Sequence, residues 1–151
     1  METVVLRYFN IFGPGQDPTS EYSAVVPRFI TAAIHGKPPT VYGDGKQSRD
    51  FTYVETVVLA NLLAADPKAS SGLTLNVGCG KQYSILDLID VIGRALGVRM
   101  EPVFGPGRVG DVPHSLADIS LAQQQLGYHV VVPFEEGIRR TAEWYAERNR
   151  Q

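Results

Sequence analysis

The sequence predicts an α/β layered fold, in which strands and helices alternate along the chain. Three observations carry that expectation. Residues 3–9 and 73–78 are nearly unbroken runs of apolar and β-branched side chains, the pattern of parallel strands buried on both faces. The segments between and after them place apolar residues at helical spacing. Glycine and proline stand at almost every transition.

The elements follow in order. Residues 3–9 form the first strand, and Gly13-Pro14-Gly15 ends it ahead of a polar loop reaching Ser20. Val25, Val26, Phe29, Ile30 and Ala33 recur at helical intervals over residues 24–35, and Gly36 and Pro38 stop that helix. Residues 40–42 read as a short strand and residues 49–54 as another. The turn Gly43-Asp44-Gly45-Lys46 between them suggests a hairpin. A helix over residues 55–65 precedes the strand at 73–78. Ser84 caps a helix over residues 85–96 that Gly97 closes. Residues 98–104 read as a strand, residues 105–114 as a Gly- and Pro-rich loop, and a short helix starts near Ser120. Pro133 opens a last amphipathic helix with Ile138, Ala142 and Tyr145 on one face. No repeat, low-complexity tract or domain boundary stands out, so residues 1–151 read as one domain.

Composition narrows the function. With 151 residues the chain can bury a sizeable core, and 44% hydrophobic and 20% charged residues are ordinary for a soluble protein. A net charge of -2 carries no basic footprint for nucleic acid. No apolar run is long enough to span a bilayer, and no signal peptide opens the chain. A single cysteine, Cys79, forbids an internal disulfide, and a cytoplasmic setting is the expectation. His35, His114 and His129 are scattered without metal-ligand spacing.

Two segments carry most of the functional signal: Leu6-Arg7-Tyr8-Phe9-Asn10-Ile11-Phe12-Gly13-Pro14, and Gly43-Asp44-Gly45-Lys46-Gln47-Ser48-Arg49-Asp50-Phe51. Gly107-Arg108-Val109-Gly110-Asp111 follows downstream. Together they resemble the C-terminal half of extended short-chain dehydrogenase/reductases acting on nucleotide sugars, the NAD-dependent epimerase/dehydratase family, and most of all its UDP-hexose 4-epimerases. The fold this resemblance implies is a C-terminal substrate-binding lobe with the trailing strands of a Rossmann-type sheet, an incomplete Rossmann fold.

The resemblance implies a role for each matching residue. Arg49 and Arg108 would contact the substrate diphosphate, and two guanidiniums match its two charges. Asp111 would accept ribose hydroxyls. Asn10, at the carboxyl end of a strand where α/β ligands gather, would bind the phosphate region. An Asx-turn is an equal reading of Asn10 from sequence alone, and the two are compatible. Val26, Val41 and Tyr42 would flank the base and ribose, although core packing also accounts for Val26. Phe9 would lie beside the nicotinamide, and only in a complete enzyme. Without the family, Arg49 and the Arg108–Asp111 pair read as solvated surface charges.

Three look-alikes fail on physical grounds. Tyr42 and Lys46 have the Tyr-x-x-x-Lys spacing of short-chain dehydrogenase catalysis, but two glycines between them disfavour the helix that would align them. Gly105-Pro106-Gly107-Arg108-Val109-Gly110 fits a dinucleotide fingerprint but is not expected to open a helix. Cys79 has no neighbouring histidine and reads as a small buried or turn residue.

The family's Gly-rich cofactor loop, catalytic tyrosine and lysine, and C4-polarising Ser or Thr lie upstream of the segment that resembles residues 3–9. None has a counterpart here. The expectation is therefore a lobe that binds a UDP-sugar or related nucleotide sugar, carries no catalytic residue, and takes no NAD alone. Its unpaired strand edges predict self-association or pairing with a complementary N-terminal half. A free-standing binding or assembly module, or part of a dehydratase, reductase or decarboxylase, stays open, as do the sugar and the base.

Overall fold

The computed structural model describes residues 3–19, 25–66, 71–108 and 110–150. In chain order the elements are β1 (Val4–Tyr8), β2 (Ile11–Phe12), α1 (Val25–Ile34), β3 (Thr40–Tyr42), β4 (Ser48–Arg49), β5 (Thr52–Tyr53) and α2 (Val54–Ala64). Then come β6 (Leu73–Val77), β7 (Tyr83–Ser84), α3 (Ile85–Leu96), β8 (Val103–Gly105), α4 (Ser120–Leu126) and α5 (Phe134–Arg148). The strands form four two-stranded pairs. β1–β6, β2–β5 and β3–β8 are parallel, and β4–β7 is antiparallel.

β1 and β6 run in register from Val4 opposite Leu73 to Tyr8 opposite Val77. Val4 and Leu6 join a core with Leu75, Val77, Val57, Ala60 and Ala122, supplied by α2 and α4. The expectation that residues 3–9 are buried on both faces needs correcting, because Val5 is 53% exposed and Tyr8 45%. Helices α2 and α4 pack on the face of Leu6, Leu75 and Val77, while on the other face Val5 and Thr74 are exposed and Asn76 donates to the Asp118 carbonyl at 3.1 Å.

The chain breaks after β1 because Asn10 adopts φ 30, a left-handed conformation that asparagine tolerates better than most residues. That kink lets Ile11 and Phe12 leave β6 and pair with Thr52 and Tyr53 of β5. The second core lies between α1, α3 and α5, where Ile30, Leu88, Ile92, Ile138 and Ala142 are fully buried. α3 matches its sequence signals. Ser84 and Asp87 form a reciprocal capping box, and Gly97 closes the helix at φ 67.

The hairpin expected between residues 40–42 and 49–54 does not form. β3 pairs instead with β8, from Thr40 opposite Val103 to Tyr42 opposite Gly105, and β4 pairs with β7. The tight turn that suggested a hairpin folds on itself: Gln47 Nε2 donates to the Tyr42 carbonyl at 2.7 Å, and the Lys46 amide to Asp44 at 2.9 Å. The stretch 49–54 is also divided, into the end of β4, β5 and the first turn of α2. The strand expected over residues 98–104 shrinks to Val103–Gly105, because Val98 returns its N–H to the Gly93 carbonyl at the end of α3. Among the described residues no helix is long and apolar enough to cross a membrane.

Candidate functional site

A pocket of about 270 Å³ opens between the β1–β2 kink, α1, β3 and the segment after β8. Its floor is apolar, made by Val26 and Phe29 of α1, Val41 of β3, Phe12, Phe51 and Ile85. Aromatic packing holds that floor in place. Phe12 meets Phe51 edge-on at 6.4 Å, and Phe51 stacks on Phe134 of α5 at 5.5 Å. The rim is polar and cationic: Asn10, Arg28, Tyr42, Gln47, Arg49, Arg108 and Asp111. The seven residues that the sequence nominates for substrate contact, Asn10, Val26, Val41, Tyr42, Arg49, Arg108 and Asp111, thus surround one space. Phe9 does not line it. Half-buried at the end of β1, it donates its N–H to the Val77 carbonyl at 3.0 Å.

Asn10 turns its side-chain amide inward to the Asp50 carbonyl at 3.2 Å, fixing the kink against β4 and β5. Arg49 leaves β4 toward the rim. One guanidinium nitrogen donates to the carbonyls of Ser48 and Pro113 at 2.8 and 3.3 Å, and the other reaches Asp111 at 2.5 Å. Arg49 therefore pairs across the rim with Asp111, while Asp50, its neighbour in sequence, is wholly buried. The pair is open to water, with side chains 17% and 40% exposed, so its net worth is about 0–1 kcal/mol.

Arg108 lies over the Tyr42 ring, 4.1 Å from the centroid. Its guanidinium, with Arg28 in a lesser part, holds the Tyr42 phenol below its ordinary range. Three arginines facing one aspartate leave the rim cationic, and cationic forks suit phosphate oxygens. An apolar floor suits a planar base.

The look-alikes resolve as expected. Residues 43–46 form a turn with Gly43 and Gly45 at φ 80 and 76, so Tyr42 and Lys46 do not share a helical face. Among the described residues after Gly105 no helix opens before α4. Cys79 sits in the turn after β6, where burial first and Asp50 second push its thiol up to about 11.

Sequence reasoning missed Arg28, Gln47 and Ile85 as lining residues. Arg28 was the most accessible of them, being the sole charged side chain of α1. It also missed Asp50, which is recognisable only once three distant backbone amides converge on it.

A model of the NAD dependent epimerase/dehydratase family matches residues 1–78. The chain belongs to that family. Among relatives of this family member, the UDP-N-acetyl-alpha-D-glucosaminuronate decarboxylase of Bacillus cytotoxicus is 34% identical, over 97% of the chain and 47% of the relative. The structure of UDP-glucose 4-epimerase from Thermotoga maritima with UDP-glucose superposes with a TM-score of 0.93 at 36% identity. It covers 99% of the chain and 47% of that structure. The UDP-glucuronic acid 4-epimerase of Bacillus cereus, in complex with UDP-glucuronic acid and NAD, gives 0.87 at 32% identity, over 95% and 45%. The chain spans about half the length of the curated relatives it matches. Its fold is accordingly a partial Rossmann-type α/β fold.

NAD cofactor binding needs backbone amides free to meet a pyrophosphate. Among the described residues, the glycine turn that follows a full-length parallel strand is Gly78-Cys79-Gly80, after β6. The amides of Cys79 and Gly80 are already bound to the Asp50 carboxylate at 2.7 and 2.9 Å. That turn therefore has neither amide free for a pyrophosphate.

Proposed function

We propose that the pocket binds a nucleoside-diphosphate sugar, most simply a UDP-hexose, and that the chain is the substrate-binding portion of an NAD-dependent sugar 4-epimerase. The observation that carries this reading is the gathering of Arg49, Arg108, Asp111 and Asn10 around an apolar floor made by Val26, Val41 and Phe12. Identity above 30% to relatives named for UDP-sugar chemistry supports it.

In this reading the base lies against Val26, Val41 and the Tyr42 ring. The diphosphate meets Arg49 and Arg108 through charge-assisted hydrogen bonds. Asp111 accepts ribose hydroxyls, and the incoming phosphate competes with it for Arg49. Asn10 lies toward the phosphate and sugar. These residues bind and orient; they supply remote binding energy to a reaction whose acid–base and hydride groups sit on a complementary N-terminal half. NAD, when bound there, would take up and return the hydride at the sugar carbon.

The relation to a decarboxylase favours a second reading, in which the same pocket serves another reaction of UDP-sugars. A free-standing module with nucleotide-sugar affinity is the third. Turnover recovered on adding an N-terminal half would separate both enzyme readings from it.

Calorimetric titration of the chain with UDP, UDP-glucose and NAD tests the proposal. UDP and UDP-glucose bind, NAD does not, and Arg49→Ala weakens UDP by about tenfold or more, the scale of a lost charge-assisted bond. No UDP binding, or equal binding by Arg49→Ala, contradicts it.

A further inference from the structure

Asp50 is a carboxylate with no solvent exposure, one residue after Arg49. Its Oδ1 accepts the Cys79 N–H at 2.7 Å, and its Oδ2 accepts those of Gly80 at 2.9 Å and Ala117 at 3.2 Å. The Thr52 hydroxyl lies 3.5 Å from Oδ1. Its backbone carbonyl receives the Asn10 amide. Around it the segments are in close contact. A Cβ on Gly78 would fall 2.8 Å from Oδ2 and 2.4 Å from the Ala117 Cβ.

The buried carboxylate therefore ties the strand end bearing Arg49 to the turn after β6 and to the segment that runs back from Ala117 to Asp111, while the backbone carbonyl of the same residue holds the Asn10 side chain. Near its middle that segment is fastened to Ser48, whose N–H donates to the Pro113 carbonyl at 2.9 Å and whose carbonyl accepts the Ser115 N–H at 3.1 Å. The exposed Asp111 is held by Arg49 and by its own N–H, which donates to the Arg108 carbonyl at 3.3 Å.

We infer that Asp50 is a positioning residue, whose carboxylate sets the turn after β6 and the Asp111 segment against Arg49 and so gives the pocket its phosphate-binding geometry. The inference rests on the reading of the pocket given above. The chemistry demands an acceptor on both oxygens. A carboxylate supplies it; an asparagine would turn an NH2 donor against at least one backbone N–H and leave that donor buried and unpaired.

The test compares Asp50→Asn with Ile138→Val, which loosens the α1–α3–α5 core away from this cluster, by amide hydrogen exchange and UDP titration. In Asp50→Asn, exchange quickens about tenfold or more at Cys79, Gly80, Ala117 and residues 111–116 while α3 and α5 keep their protection. UDP affinity falls about tenfold or more. Ile138→Val leaves the local protection and the affinity intact. If Asp50→Asn does not fold, Gly78→Ala, which presses on the same carboxylate, carries the same expectation. Unchanged exchange around residues 78–80 and 111–117, or an affinity loss shared equally by Ile138→Val, overturns the inference. An unaltered chain that takes no UDP would overturn the nucleotide reading instead, while the exchange arm still decides the role of Asp50.

Discussion

Cys79 shows how a buried carboxylate changes the chemistry of its neighbours. Burial disfavours the thiolate, and the nearby Asp50 charge adds to that, so the folded thiol ionises near 11 against its ordinary 9.0. The sign for stability follows: above about pH 9 the unfolded chain releases this proton while the folded chain keeps it, so folding weakens as pH climbs toward 11. Alkylation of the folded chain by iodoacetamide should therefore be slow at pH 8 and rise with a midpoint well above 9. A midpoint near that of a free thiol would contradict it. At this scale much of the pocket was legible in sequence. Arg49, Arg108 and Asp111 stand in recognisable motifs, and a guanidinium's preference for phosphate needs no coordinates. Asp50 was not legible, since its meaning lies in N–H groups that are 29 to 67 positions away.

The helices carry the pocket floor, and α5 shows how closely. Gly137 faces Phe12 and Tyr53, and a Cβ there would lie 2.9 Å from Phe12 Cζ and from Tyr53 Cδ2. Gly137→Ala gains about 1 kcal/mol of helix propensity but overpacks two buried rings at a cost of about 1–3 kcal/mol. The expected outcome is a net loss of stability, seen as a melting temperature lower by several degrees; a rise would show that the rings yield freely. α3 was legible almost to the residue because its two ends are written in local chemistry, a Ser84–Asp87 box and a left-handed Gly97. The strand pairs were less legible. The partner of β3 is β8, more than sixty positions downstream, and local turn chemistry pointed to a hairpin that long-range pairing overrode.

For the molecule as a whole, the alternation of elements gave the α/β class, while the motifs gave the family. The β1–β6 pair marks where sequence patterning alone fell short: its apolar run reads as buried, yet Val5, Tyr8, Val58 and Leu62 are exposed on and beside it. We propose that this surface associates, with a second copy or with a complementary N-terminal half. Light scattering should give a mass above 16.5 kDa, and a monodisperse monomer across concentration would contradict that. The central claim, that the pocket bounded by Arg49, Arg108 and Asp111 receives a nucleoside diphosphate, is tested most directly by following the UDP titration residue by residue in amide NMR spectra. The account predicts saturable shifts concentrated at Asn10, Val41, Tyr42, Arg49, Arg108 and Asp111, which in Arg49→Ala need about tenfold or more higher UDP to saturate. Shifts centred on the opposite side of α1, around Gln16, His35 and Trp144, or none at all, would contradict it.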